Sequence, residues 1–238
     1  SDNFLWNYDG TQIYFDDPLD PENAWKHGAI QEKDRLLGAL SESDRPVAEI
    51  SRPFDRNRDG FVIGEGAAAF VLEPLDQVRD RHIYGEVVGF GTSVDAYRVT
   101  APTPDGAGSA LCMERALRDA RVAPGDVDYI NAHGTSTRLN DVTETLAIKR
   151  VFGGPGTAPP VSSTKSMIGH CVAAAGAVEL VSVLSALHHQ ALPPTLNLDD
   201  PDPDCDLDYV PRTAREASVE LALDNCFGFG GQNACLAV

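Results

Sequence analysis

The spacing of apolar residues changes character near Phe61. Upstream, residues 1–35 are acidic, aromatic-rich and weakly periodic, with turns at "YDG" and "DDPLDPEN" but no helical repeat. Downstream, apolar runs of two kinds alternate. "FVIGEGAAAFVLEPL" and "IYGEVVGFGTS" predict strands packed with small residues, whereas "GSALCMERALRDARV" places its apolar residues at helical spacing. "VDYINAHG" predicts a short strand entering a glycine turn, and "DVTETLAIKRVFGG" a helix closed by Gly153-Gly154. A strand at "PPVSST" follows, then a long small-residue helix from about Val172 to His189 and a loop, "LPPTLNLDDPDPDCDLDY". The end, "SVELALDNCFGFGGQNACLAV", predicts two strands around a glycine-rich turn. The pattern is that of an α/β chain whose strands are buried on both faces.

With 238 residues there is enough chain for one substantial core or two modest ones. The absence of a long uninterrupted apolar run leads us to expect no membrane span, and Ser1–Trp6 carries no signal-peptide pattern. The net charge of -17 argues against a nucleic-acid or anionic-membrane surface, because phosphate binding needs clustered cations. The five cysteines, Cys112, Cys171, Cys205, Cys226 and Cys235, form no CxxC and no zinc-finger spacing. A reduced, cytoplasmic setting is therefore expected, with most of the thiols acting as small core residues.

Two stretches invite a metal reading. "DRNRDGFVIGEG" begins like a calcium loop with Asp55, Asn57, Asp59 and Gly60, but its twelfth position is Gly66 and Glu65 falls one place early. A polar turn feeding a strand fits better. The loop from Asp199 to Asp208 holds six aspartates in ten residues, and alternating Pro and Asp read as a solvated surface loop. No metal site is expected. Three other clusters can do chemistry: "NAHGTST", with His133 at a strand's end; "SSTKSMIGHCVAAAGAVE", with Lys165 and His170 before an Ala/Gly-rich helix; and "NCFGFGGQN". A neutral histidine near a helix N-terminus suits hydrogen-bond donation to a developing oxyanion.

In order and spacing, "SRPFDRNRDGFVIGEGAAAFVLE", "NAHGTSTRLNDVTETLAIK", "SSTKSMIGHCVAAAGAVE" and "NCFGFGGQNA" resemble the successive signatures of elongating β-ketoacyl-acyl carrier protein synthases. "DAYRVTAPTPDGAG" and "PPTLNLDDPDPDCDLDYVP" fit the same family. The resemblance assigns 36–238 to the synthase C-terminal domain and leaves 1–35 as an unmatched acidic segment. It implies a thiolase-like fold, of which this chain supplies the second half of the layered αβαβα architecture. It also implies that His133 and His170 bind the malonyl thioester carbonyl during decarboxylation, with Lys165 and Glu144 as a buried ion pair beside them. Asp141 and Glu179 would support, Thr135 and Thr137 would bind the phosphopantetheine arm, and Phe227 and Phe229 would belong to a gating loop. No cofactor is implied beyond the phosphopantetheine of the carrier protein.

One element of the family is missing: its nucleophilic cysteine lies well before the stretch corresponding to Leu36, and residues 1–111 contain no cysteine. The reading that follows is a split synthase, completed by a second polypeptide bearing the cysteine half and served by acyl carrier protein. A non-catalytic, chain-length-factor-like partner is the alternative, although such relatives typically lose the histidines that stand here. Cys226 beside the glycine-rich turn offers a remoter nucleophile and would need an adjacent base. Arg79, Arg81, Arg118 and Arg121 are the candidate carrier-docking cations.

Overall fold

The computed structural model describes residues 39–79 and 81–238, together with the backbone of two short strands nearer the N-terminus. Those strands, β1 (Asn3–Trp6) and β2 (Gln12–Phe15), pair antiparallel with Asn3 opposite Phe15. The remainder of the acidic stretch 1–35 lies outside the described residues.

The centre is a five-stranded mixed sheet. In chain order its strands are β3 (Gly89–Val94), β4 (Tyr129–Asn131), β5 (Val161–Ser162), β8 (Ala222–Gly228) and β9 (Gln232–Ala237), arranged β3-β9-β8-β4-β5. β4 runs parallel to both β5 and β8, while β9 is antiparallel to β8 and β3. β6 (Ala191–Leu192) and β7 (Arg215–Glu216) form a small ribbon apart. Helices α1 (Ala107–Ala120) and α2 (Arg138–Phe152) share one core cluster, and α4 (Ala175–His189) another, with α3 (Lys165–Ile168) a single turn before it.

Alternation along β4 and β8 feeds both cores. Ile130 and Leu223 pack with Met113, Leu117 and Ile148 from α1 and α2. Their neighbours Tyr129 and Ala222 pack with Leu180, Val183 and Ala186 from α4. Each fully buried aliphatic side chain contributes about 1.5–3 kcal/mol, so these central strands are anchored from both faces, as their apolar runs predict. α1 seats directly on β3: a Cβ at Gly91 would lie 2.1 Å from the Cys112 carbonyl oxygen. Only glycine admits that approach.

Three expectations are corrected. "FVIGEGAAAFVLEPL" forms no strand; only Phe61 and Ile63 make single bridges, and Val71 and Leu72 are 86% and 80% exposed. A strand needs a partner for its backbone groups, and among the described residues no strand pairs with 64–75. "IYGEVVGFGTS" becomes strand only from Gly89. Finally, Val172–His189, 18 residues of mean hydropathy 1.4, is long and apolar enough by length and composition to cross a bilayer. Here it is the helix that packs on the sheet and carries the buried Glu179.

The two acidic stretches meet each other. Asp55 Oδ2 accepts the backbone N–H groups of Asp199 and Asp200, both at 2.9 Å, and Oδ1 accepts that of Asn57 at 2.9 Å. Arg58, 2% exposed, donates to Asp202 at 2.6 Å and lies 3.5 Å from Asp141. Within the loop, Asp199, Asp200, Asp206 and Asp208 pair with Arg212, Arg56, Lys149 and Arg215. The Asp55 carboxylate is thus satisfied by backbone N–H groups, as a polar turn requires.

Candidate active site

Three segments converge where the sheet ends. β4 runs into His133, whose backbone N–H donates to Glu144 Oε1 at 2.8 Å; the Gly134 N–H donates to Oε2 at 2.7 Å. Gly134 has φ +34°, and a Cβ there would lie 2.5 Å from the Ser163 Cβ, so the turn requires glycine. α2 begins immediately afterwards, its first turn capped by the Thr137 hydroxyl, which accepts from Asn140 N at 3.3 Å. Glu144, one further turn on, thus reaches back to hold the loop that carries His133.

His170 is placed by the start of the apolar run. Its backbone N–H donates to the Val62 carbonyl at 2.7 Å, and its carbonyl accepts from Gly64 N at 3.0 Å. The Val172 N–H donates to His170 Nδ1 at 3.1 Å. A neutral imidazole accepting at Nδ1 carries its proton on Nε2, which is then a donor. The two imidazoles stand edge to face, centroids 5.3 Å apart, with Phe227 5.6 Å from His133 and Phe61 5.1 Å from His170.

Both rings are held neutral. Burial, followed by the Lys165 ammonium, lowers the His170 pKa to about 3. Burial, Lys165 and His170 push His133 well below its ordinary range. Lys165 is itself paired with Glu179 Oε1 in a contact from which both side chains exclude water. The expected Lys165–Glu144 ion pair is therefore corrected. α4 brings Glu179 to Lys165, whereas Glu144 is committed to the two backbone N–H groups. Burial raises Glu144 to about 7 against the pull of those N–H groups.

Of the other expected residues, Thr135 is buried and its hydroxyl lies 2.8 Å from that of Thr137. Asp141 is fully buried and accepts from Phe54 N at 2.8 Å, bracing the turn rather than the imidazoles. Phe227 touches His133, while Phe229 sits at the tip of the β8–β9 turn, 54% exposed. Arg79, Arg81, Arg118 and Arg121 are all exposed, and Arg81 pairs with Glu73 at 2.9 Å. Burial lifts the Cys226 thiol to about 11. The thiol is thus held protonated, and the neighbouring histidines are too weakly basic to take its proton.

A polar layer beneath the histidines escaped the sequence reading. Asn131 and Asp224, opposite each other on β4 and β8, are joined by an Asn131 Nδ2–H to Asp224 Oδ1 hydrogen bond of 2.8 Å. The Tyr129 hydroxyl meets that of Ser162 at 2.7 Å. Burial, then Glu179, raises the Asp224 carboxyl to about 8. The available signal was a polar residue at an inward position of an otherwise apolar strand.

The family model for the β-ketoacyl synthase C-terminal domain matches residues 84–199, and that for the N-terminal domain matches 25–78. The chain is 50% identical over 201 residues to 3-oxoacyl-[acyl-carrier-protein] synthase 2 of Synechocystis, covering 84% of this chain and 48% of that protein. It is 50% identical over 200 residues to the tetracenomycin polyketide synthase ketoacyl synthase alpha subunit of Streptomyces glaucescens, covering 83% and 47%. The chain thus spans about half the length of the curated relatives it matches. Among solved structures, a β-ketoacyl synthase from Burkholderia phymatum superposes with TM-score 0.81 at 40% identity, covering 88% of this chain and 51% of that one. A type II polyketide ketosynthase, solved with its acyl-carrier protein and bound to the hexaketide, gives TM-score 0.84 at 39% identity, covering 93% and 53%. The fold is thiolase-like, and the chain belongs to the β-ketoacyl synthase family.

Proposed function

We propose that this chain supplies the decarboxylating half of a condensing site that extends malonyl-acyl carrier protein by decarboxylative Claisen condensation. The observation that carries the reading is the pair of neutral imidazoles 5.3 Å apart, with His170 Nδ1 satisfied by a backbone N–H so that Nε2–H is the donor. The malonyl thioester oxygen accepts from the two imidazoles. The bond to the carboxylate breaks, carbon dioxide leaves, and the electron pair moves to the enolate oxygen. The enolate carbon then attacks an acyl thioester, and its cysteine departs as thiolate. Each donor placed where the oxyanion forms is worth about 3–4 kcal/mol. Burial, and after it the Lys165 ammonium, disfavours imidazolium and preserves the donors.

The acyl-bearing cysteine belongs, in this proposal, to the N-terminal half of the synthase, which lies outside these 238 residues. Cys226, held protonated, does not fill that role. The alternative, a non-catalytic partner of the chain-length-factor kind, is disfavoured by the retained and oriented histidine pair.

The test is His133→Ala and His170→Ala in the assembled enzyme. Malonyl-carrier decarboxylation is expected to fall about 10²–10³-fold in each, while acyl loading on the nucleophilic cysteine continues. Loss of loading in both variants overturns this division of labour.

A further inference from the structure

Three chemically distinct donor atoms meet at the base of the site: a His133 ring nitrogen, a Glu179 carboxylate oxygen and the Cys226 sulfur, all within 4.8 Å of one another. They arrive from three separate elements, the turn after β4, helix α4 and strand β8. Two further facts make this more than a coincidence of side chains. Among the described residues, neither His133 Nδ1 nor Glu179 Oε2 finds a hydrogen-bond partner, although their residues are only 5% and 0% exposed. Glu179 is moreover held rigidly through its other oxygen by Lys165.

We propose that His133, Glu179 and Cys226 form a binding site for a divalent cation of the zinc class. Mixed nitrogen, oxygen and sulfur donors suit zinc, which binds at about 2.0–2.3 Å in tetrahedral geometry. That geometry spaces ligand atoms about 3.3–3.6 Å apart, so closure needs side-chain shifts of about 1 Å. On binding, the Cys226 S–H bond breaks, its proton leaves to solvent and the thiolate pair forms the metal–sulfur bond. Glu179 donates through Oε2 while keeping Oε1 on Lys165, and the fourth position remains open to water. Counting Lys165 and both acidic ligands, the occupied cluster carries one net positive charge.

The cation has a consequence for the imidazole. Val172 fixes the tautomer of His170, but among the described residues no group does so for His133 Nδ1. A metal on Nδ1 leaves the His133 proton on Nε2, the tautomer an oxyanion donor needs. That consequence rests on the condensing role proposed above; the binding itself does not.

The experiment is titration of the purified protein, with whatever partner copurifies, with Co²⁺ alone. A thiolate-to-cobalt charge-transfer band is expected at one equivalent, absent in Cys226→Ser, retained in Cys171→Ser and displaced by Zn²⁺. Zinc retention in equilibrium dialysis should weaken about tenfold or more in Cys226→Ser, at least the loss that outer ligand partners produce. As a control needing no variant, Zn²⁺ should slow alkylation of Cys226, read by peptide mass spectrometry. Cobalt bound without the charge-transfer band, as the exposed His188 and His189 would bind it, overturns the proposal. So does a band that survives in Cys226→Ser, or alkylation of Cys226 that zinc leaves unchanged.

Discussion

Replacing Glu144 by alanine strands two backbone donors. The N–H groups of His133 and Gly134 end on Glu144 at 2.8 and 2.7 Å, and the residue is 1% exposed. A buried donor left unmade costs about 1–3 kcal/mol, so Glu144→Ala should lose about 2–6 kcal/mol, a large part of a typical total of about 5–15. Glu144→Gln offers one acceptor oxygen and one amide N–H₂, so it satisfies one donor and opposes the other. Its loss should be about half as large, about 1–3 kcal/mol. Urea unfolding followed by far-ultraviolet circular dichroism reads both, provided that the slope m is unchanged. The expected order is wild type, then Gln, then Ala. If Glu144→Ala unfolds within about 0.5 kcal/mol of wild type, the range of ordinary surface substitutions, then Glu144 does not anchor this turn.

The Lys165–Glu179 pair gives a second prediction. Lys165→Met alone should cost about 3–5 kcal/mol by leaving a buried carboxylate unpaired, and Lys165→Met with Glu179→Leu should recover most of that. Rescue by Glu144→Leu in place of Glu179→Leu would show that the ion-pair assignment is wrong. A third concerns acid. Burial works against the Asp55 charge, but N–H groups of Asp200, Asn57 and Asp199, with Arg52, outweigh it and hold the carboxyl below its ordinary 3.8. The unfolded chain then takes up the proton first as pH falls, so this stability is fully present above about 4 and is lost as pH falls through the folded value. Asp55→Asn should lower stability near neutrality and flatten the acid limb of the stability curve; parallel curves for the two proteins contradict the assignment. A fourth is ionic: carrier docking through Arg118 and Arg121 should weaken as salt rises, and docking indifferent to salt would exclude them.

How much of this was legible in the sequence depended on whether the governing interaction was local. Helices α1, α2 and α4 were readable because apolar spacing and Gly153 at a C-terminus are properties of neighbouring residues, whereas the Thr137 cap that starts α2 went unread. His133 and His170 were readable because their glycine-flanked motifs mark backbone turns. What pairs with Lys165 was not, since Glu144 and Glu179 are both helical carboxylates and only packing decides between them. The apolar run from Phe61 failed as a strand for a similar reason. Its hydrophobicity is genuine, but pairing requires an edge, and only Phe61 and Ile63 find one, Ile63 in bridging to His170. The aspartate loop is solvated, as its composition predicts, but its counter-charges, Arg58, Lys149 and Arg215 among them, were not legible because they lie far from it in the chain or on its far side.

The central claim is that the histidine pair of this chain decarboxylates a malonyl thioester for condensation with an acyl group held on a cysteine outside these 238 residues. Native mass spectrometry of the protein isolated from its source under mild conditions, before and after exposure to an acyl thioester, tests it most directly. The expected result is the mass of one acyl group on a cysteine outside these 238 residues, in the same polypeptide or in one that copurifies. The chain found alone, folded and unreactive towards acyl and malonyl carrier proteins, would contradict it.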